Sequence, residues 1–165
     1  MKTIISLRKE WKFINLVKIY LKSILTPVIV GGIVGVIISW AMDYTSLIKP
    51  FGAPPSILFP IVWTVLYILM GISYGILKSK GKNNKKIQII YYTQLLVNSL
   101  WSIIFFTLKW RLFAFIWIII LIILVIIMIF EFYRKNKISG LLQIPYLLWI
   151  IFASYLNIAI YILNR

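Results

Sequence analysis

Trp63, Tyr67, Met70 and Tyr74 recur every three or four residues inside Pro50–Leu77, a stretch with no Lys, Arg, Asp or Glu. Gln94, Asn98, Trp101 and Phe105 do the same inside Ile87–Leu108, and Tyr146, Trp149, Ala153 and Asn157 inside Ile138–Asn164. That spacing puts each set on one face of a helix. Indole and phenol rings offer flat stacking surfaces and one polar hydrogen each, and an amide adds a donor and an acceptor. The chemistry open to such a set is recognition of a flat, largely apolar molecule by stacking and a few hydrogen bonds.

Most other chemistry is excluded by residue type. The chain has no Cys and no His, and its acids are Glu10, Asp43 and Glu131. A conventional metal site has no ligand set, and haem iron lacks its usual strong axial ligands. No nucleophile–base or acid–base pair lies within the charge-free stretches, which disfavours hydrolytic and acid–base catalysis. No catalytic residue is therefore assigned firmly and no cofactor is required. Ion-coupled export needs an ionisable group within the membrane, and these stretches contain none.

The elements that carry these faces are membrane spans. Ser23–Met42, Pro50–Leu77, Ile87–Leu108, Leu112–Phe130 and Ile138–Asn164 are all free of charge. Each is long enough to cross a hydrocarbon core about 30 Å thick at about 1.5 Å per residue. The basic residues between them alternate from crowded to sparse. The arm before the first stretch, the link after Leu77 and the link after Phe130 hold 14 of the 18 Lys and Arg residues. The other side holds only Lys49, Lys109, Arg111 and Arg165. This is the positive-inside pattern, which puts the N-terminus in the cytoplasm and the C-terminus outside. The expected fold is all-α: five transmembrane helices, at about 24–42, 57–77, 87–108, 112–130 and 141–163, with short loops. The net charge of +15 is explained by attraction to anionic lipid, so no nucleic-acid partner is expected.

Residues 1–22 form a basic arm ahead of one membrane domain, 23–165. Ile4, Leu7, Trp11 and Ile14 recur at helical spacing there, with Arg8, Lys9 and Lys12 elsewhere on the wheel. The arm reads as an amphipathic helix in the cytoplasmic headgroup layer, or else as a disordered start. It is too far from the first apolar run, and lacks a suitable cleavage site, to be a signal peptide. Gly31 and Gly35, and again Gly71 and Gly75, are small-xxx-small pairs that let another backbone approach, within the bundle or across a dimer. The segment 43–56 contains Pro50, Gly52, Pro54 and Pro55 and predicts an ordered non-helical loop between the first two helices. The fourth span is almost wholly aliphatic and is expected to be the most lipid-exposed. Asn98 and Asn157 must be satisfied within the membrane, either as interhelical glue or as groups aimed at a ligand.

Taken in order, Tyr44, Leu47, Lys49-Pro50, Pro54-Pro55, Trp63, Leu66-Tyr67, Met70-Gly71, Gln94-Leu95, Asn98, Trp101, Phe105-Phe106, Pro145-Tyr146, Trp149, Phe152 and Leu156-Asn157 form a familiar series. It resembles the tryptophan-rich sensory protein / translocator protein family, once called peripheral-type benzodiazepine receptors, over about residues 27–164. The resemblance implies a five-helix bundle, usually a homodimer, with a ligand pocket under the loop between the first two helices. It implies porphyrins such as protoporphyrin IX as ligands and, in animal members, cholesterol. Carried over to this chain, the pocket residues are Trp63, Asn98, Trp101, Phe105, Trp149, Phe152 and Ala153. Tyr67 and Tyr146 share their helix faces, and Lys49, Pro50, Pro54 and Pro55 form the lid. Two positions depart from the family pattern. Phe51 and Gly52 stand where a Ser-Trp pair is usual, so the lid lacks an indole. Ile158 stands where sterol-binding members have Tyr, although Leu156, Tyr161 and Arg165 fit the loose cholesterol motif.

The function expected is that of a membrane tetrapyrrole-binding sensor, carrier or regulator, with membrane lipid as its surroundings. The ring system would stack on Trp63 and Trp149 and be oriented by Asn98, its carboxylates near Lys49, Lys109 and Arg111. The alternative is degradation of protoporphyrin IX under light and oxygen, with Trp63 and Trp149 as redox participants. The Ile-, Lys- and Asn-rich composition points to a bacterium with an AT-rich genome and hence to the plasma membrane.

Overall fold

The computed structural model describes the backbone of residues 2–165 and the side chains from Ser6 onward. The Ile4 side chain, first of the arm's apolar series, lies outside the described residues. Helix α1 runs unbroken from Lys2 to Ser39. Its 38 residues reach about 57 Å, nearly twice the hydrocarbon thickness. The arm is thus not a separate element: it continues into the first span. Pro27 lies within α1 and cannot bond to the carbonyl of Ser23.

Helix α2, Leu58–Ser79, stops where Gly81 takes a left-handed φ of 65°, with Lys82 N–H bonded back to the Leu77 carbonyl at 2.8 Å. Asn84 then caps α3, Lys85–Ser102, by accepting from Ile87 N–H at 3.0 Å. A π-helical turn, Ile103–Thr107, prolongs α3 to its outer end. Helix α4 is Arg111–Lys135. Asn136 caps the short α5, Lys137–Leu141, and α6 spans Ile144–Leu163 with Pro145 in its first turn. Among the described residues, five helical segments are long and apolar enough to cross a membrane, the fifth being α5 and α6 together.

Contacts between α1 and α2, α2 and α5, α4 and α6, α3 and α4, and α1 and α3 close the helices into a ring. The three crowded basic segments fall at one end of it. Helix α4 departs from expectation. Ala114, Ile118, Leu121, Val125, Met128 and Phe132 form a fully buried stripe between α3 and α6. Helix α1 is the more exposed, with 17% of its apolar window buried against 28% for α4. Aliphatic residues suit lipid and protein interior equally, so hydropathy does not distinguish the two faces of α4.

Candidate functional site

The aromatic faces of α2, α3 and α6 converge. Trp63 stacks on Tyr67 at 5.5 Å and lies 6.4 Å from Trp101 and 6.1 Å from Tyr146, centroid to centroid. Trp101 continues to Phe105 at 5.9 Å. Such pairs contribute about 0.5–1.5 kcal/mol each beyond area burial.

Hydrogen bonds run between the same helices. Asn98 Nδ2 donates to Tyr67 Oη at 3.1 Å. Tyr146 Oη donates to Gln94 Oε1 at 3.0 Å, and Gln94 Nε2 donates to Met70 Sδ at 3.3 Å. Asn157 accepts from Trp101 Nε1 at 3.2 Å and donates to the Arg111 carbonyl at 2.7 Å. Both ends of the Asn157 amide are therefore used as glue between α6, α3 and α4. Asn98 is only half used: its Oδ1 is buried without a partner among the described residues, as is Trp149 Nε1.

The open space lies to one side of this cluster. A cavity of about 660 Å³ sits between the outer halves of α1 and α2 and reaches Ser102 and Phe106 of α3. Trp63 and Tyr67 form its inner wall, with Phe59 and Pro60 of α2 towards the outer end. Its α1 wall includes Gly31, Gly32 and Gly35. A Cβ added at Gly31 would collide with the Tyr67 ring, whereas at Gly32 or Gly35 it would meet open space. The glycines thus do two things: one lets Tyr67 pack, and two keep the wall thin.

Trp63 and Tyr67 line this cavity. Asn98, Trp101, Phe105, Tyr146, Trp149, Phe152 and Ala153 do not. Asn98 and Trp101 stand behind the wall, bonded to Tyr67 and packed on Trp63. Trp149 meets Phe59, a cavity residue, at 6.1 Å, and Phe152 at 5.7 Å. Phe106 replaces Phe105 at the cavity because the π turn, closed by Leu108 N–H on the Ile103 carbonyl at 3.0 Å, inserts an extra residue and rotates the face. The sequence reading missed Phe106, Phe59 and the glycine wall. The run of glycines in the first span was the available signal for the wall.

The loop at 40–57 is strapped across the outer end. Tyr44 is buried and donates to the Pro54 carbonyl at 2.9 Å; its burial pushes the phenol pKa up and keeps it a donor. Lys49 lies 4.9 Å above the Tyr44 ring. Asn164 at the end of α6 accepts from Ile48 N–H at 2.9 Å and donates to the Ile48 carbonyl at 3.0 Å. Tyr155 donates to the carbonyl of Phe51, whose side chain is exposed. Asp43 holds Arg111 at 2.7 Å and Lys109 at 3.5 Å. Pro50, Pro54 and Pro55 keep this strap non-helical.

The model of the TspO/MBR family matches residues 23–163. The chain belongs to the TspO/MBR family. It is 43% identical over 122 residues to the tryptophan-rich protein TspO of Archaeoglobus fulgidus, covering 73% of this chain and 79% of that one. Protein CrtK of Rhodobacter capsulatus is 34% identical over 81% of this chain and 86% of its own length. The human translocator protein is 29% identical, with 72% of each chain covered. This TspO/MBR chain is a multi-pass membrane protein. The family match begins at Ser23, so the basic first half of α1 lies outside it.

Proposed function

We propose that this protein binds a tetrapyrrole, with protoporphyrin IX as the representative ligand, and acts as a membrane sensor, carrier or regulator. The observation that carries the reading is the cavity of about 660 Å³ walled by the Trp63–Tyr67 stack, within the roughly 300–1,000 Å³ of small-molecule sites. It favours a flat ligand: one wall carries the Trp63 indole and Tyr67 phenol, and the α1 wall opposite is thinned by Gly32 and Gly35 among aliphatic residues. The ring system would stack on Trp63 beneath the 40–57 strap. Its carboxylates would face the outer end, where Lys49, Lys109 and Arg111 lie, the last two already sharing Asp43. The basic end would face the cytoplasm, with the protein in the plasma membrane and acting as a homodimer.

Light- and oxygen-dependent degradation of the porphyrin is a second reading. Its support is the run of rings from Trp63 in the cavity wall to Trp101 behind it, a path along which an excited ligand could draw an electron. Trp149 is set back behind Phe59, which makes Trp63 the first participant.

The test is tryptophan quenching by protoporphyrin IX in the dark and under illumination. Saturable quenching with intact porphyrin supports the binder. Bleaching that requires light and is lost in Trp63→Phe supports the degrader. Quenching of undiminished affinity in Trp63→Phe together with Gly35→Phe would remove the ligand from this cavity.

A further inference from the structure

A second groove lies at the opposite end, between α1 and α3 with Tyr74 and Lys78 of α2 at its edge. It measures about 460 Å³ and is graded along its length. Lys22 and Lys78 stand at the end nearest the basic links. Ser23 and Tyr91 follow, and Leu25 and Ile29 lie one to two turns deeper along α1. Lys22 and Lys78 have no acidic partner among the described residues: Glu131 is engaged by Lys86 and Arg134, Asp43 is at the far end, and Glu10 lies more than three turns before Lys22 on α1.

Two hydroxyls in this groove are desolvated and unpartnered. Tyr91 is 0% exposed and Ser23 is 4% exposed, and neither Tyr91 Oη nor Ser23 Oγ has a hydrogen-bond partner among the described residues. Burying a hydroxyl without a bond is unfavourable, and two such groups beside two uncompensated cations are complementary to an oxyanion. The Tyr91 ring is stacked on Tyr74 at 4.2 Å with the ring planes 6° apart.

We infer that this groove binds an anionic phospholipid of the leaflet at the basic end. The phosphate accepts from Tyr91 Oη and Ser23 Oγ, its charge faces Lys22 and Lys78, and one acyl chain follows Leu25 and Ile29. Basic pockets between helices at the cytoplasmic face suit such headgroups. The aliphatic depth of the groove selects a lipid over a free phosphate ion. The site is separate from the outer cavity and does not depend on the identity of the ligand there.

The experiment measures the preference of the full chain for fluorescent phosphatidylglycerol over phosphatidylcholine in phosphatidylcholine nanodiscs. Lys22→Gln with Lys78→Gln should reduce the preference about tenfold. Tyr91→Phe, which keeps the ring stack, should reduce it about threefold through one lost bond. Lys9→Gln with Lys12→Gln removes the same charge from the arm outside the groove and should leave most of the preference. Added inorganic phosphate should not displace the lipid. Full preference in Tyr91→Phe, an arm variant as damaging as the groove variant, or displacement by phosphate would each overturn the assignment.

Discussion

Asn98 donates to the Tyr67 oxygen, which leaves the phenolic proton of Tyr67 to seek another acceptor. Tyr67 lines the outer cavity and Asn98 does not, so on the proposed function the amide would act on the porphyrin through the phenol. Tyr67→Phe and Asn98→Leu should therefore each weaken protoporphyrin quenching by about three- to tenfold, and the double variant should be no worse than the poorer single one. Additive losses would show that the two contact the ligand independently. Asn157 has a different role, because both ends of its amide are taken by Trp101 and Arg111. Asn157→Leu should cost about 1–2 kcal/mol of stability, seen as a lower thermal midpoint in detergent, with quenching affinity retained. Sequence spacing placed both amides on inward faces, but it could not show that one was satisfied and the other half used. That difference depends on partners carried by other helices.

The two small-xxx-small pairs show what the elements reveal and what they hide. Their patterns are alike in sequence. In the fold, Gly71 abuts the α1 backbone at Ser23 and Ile24, beside the carbonyl that Pro27 leaves without its helical donor, while Gly35 faces open space. Gly71→Leu should force α1 from α2 and cost about 3 kcal/mol, whereas Gly35→Leu should change stability by no more than about 0.5 kcal/mol. Gly35→Leu should still weaken porphyrin binding, since the added side chain enters the cavity. Thermal denaturation of both variants, paired with quenching, separates packing from site; equal midpoints would refute the distinction. Five spans were legible because charge-free length and loop charge report directly on the bilayer. The buried stripe of α4 and the π turn at Ile103–Thr107 were not legible, because aliphatic composition carries no facing signal and a one-residue insertion in a helix leaves no compositional mark. The open cavity consequently lies on the α1–α2 side, where glycines leave room, and aromatic rings fill the α2–α3–α6 interior.

At the scale of the whole molecule the two ends differ in how they handle charge. The basic end carries most of the cations, with Glu131 as the acid paired there among the described residues. At the outer end Asp43 ties the loop after α1 to Lys109 and Arg111 at the turn between α3 and α4. Arg111 is largely shielded, its side chain 15% exposed, so losing the carboxylate leaves a partly buried charge without compensation. Asp43→Asn should therefore cost about 1 kcal/mol after solvent screening. It should also loosen the strap, and protoporphyrin should associate faster than with the unaltered chain. The same substitution frees Lys109 and Arg111 to meet the porphyrin carboxylates, so affinity for the dicarboxylate should rise relative to its dimethyl ester. Asn164→Ala loosens the strap from the α6 side without changing charge, and should accelerate association of the acid and ester equally. If Asp43→Asn alters neither the rate nor the acid-to-ester ratio, the outer ion pairs serve only to close the bundle, and the ligand must reach its cavity through the lipid between α1 and α2.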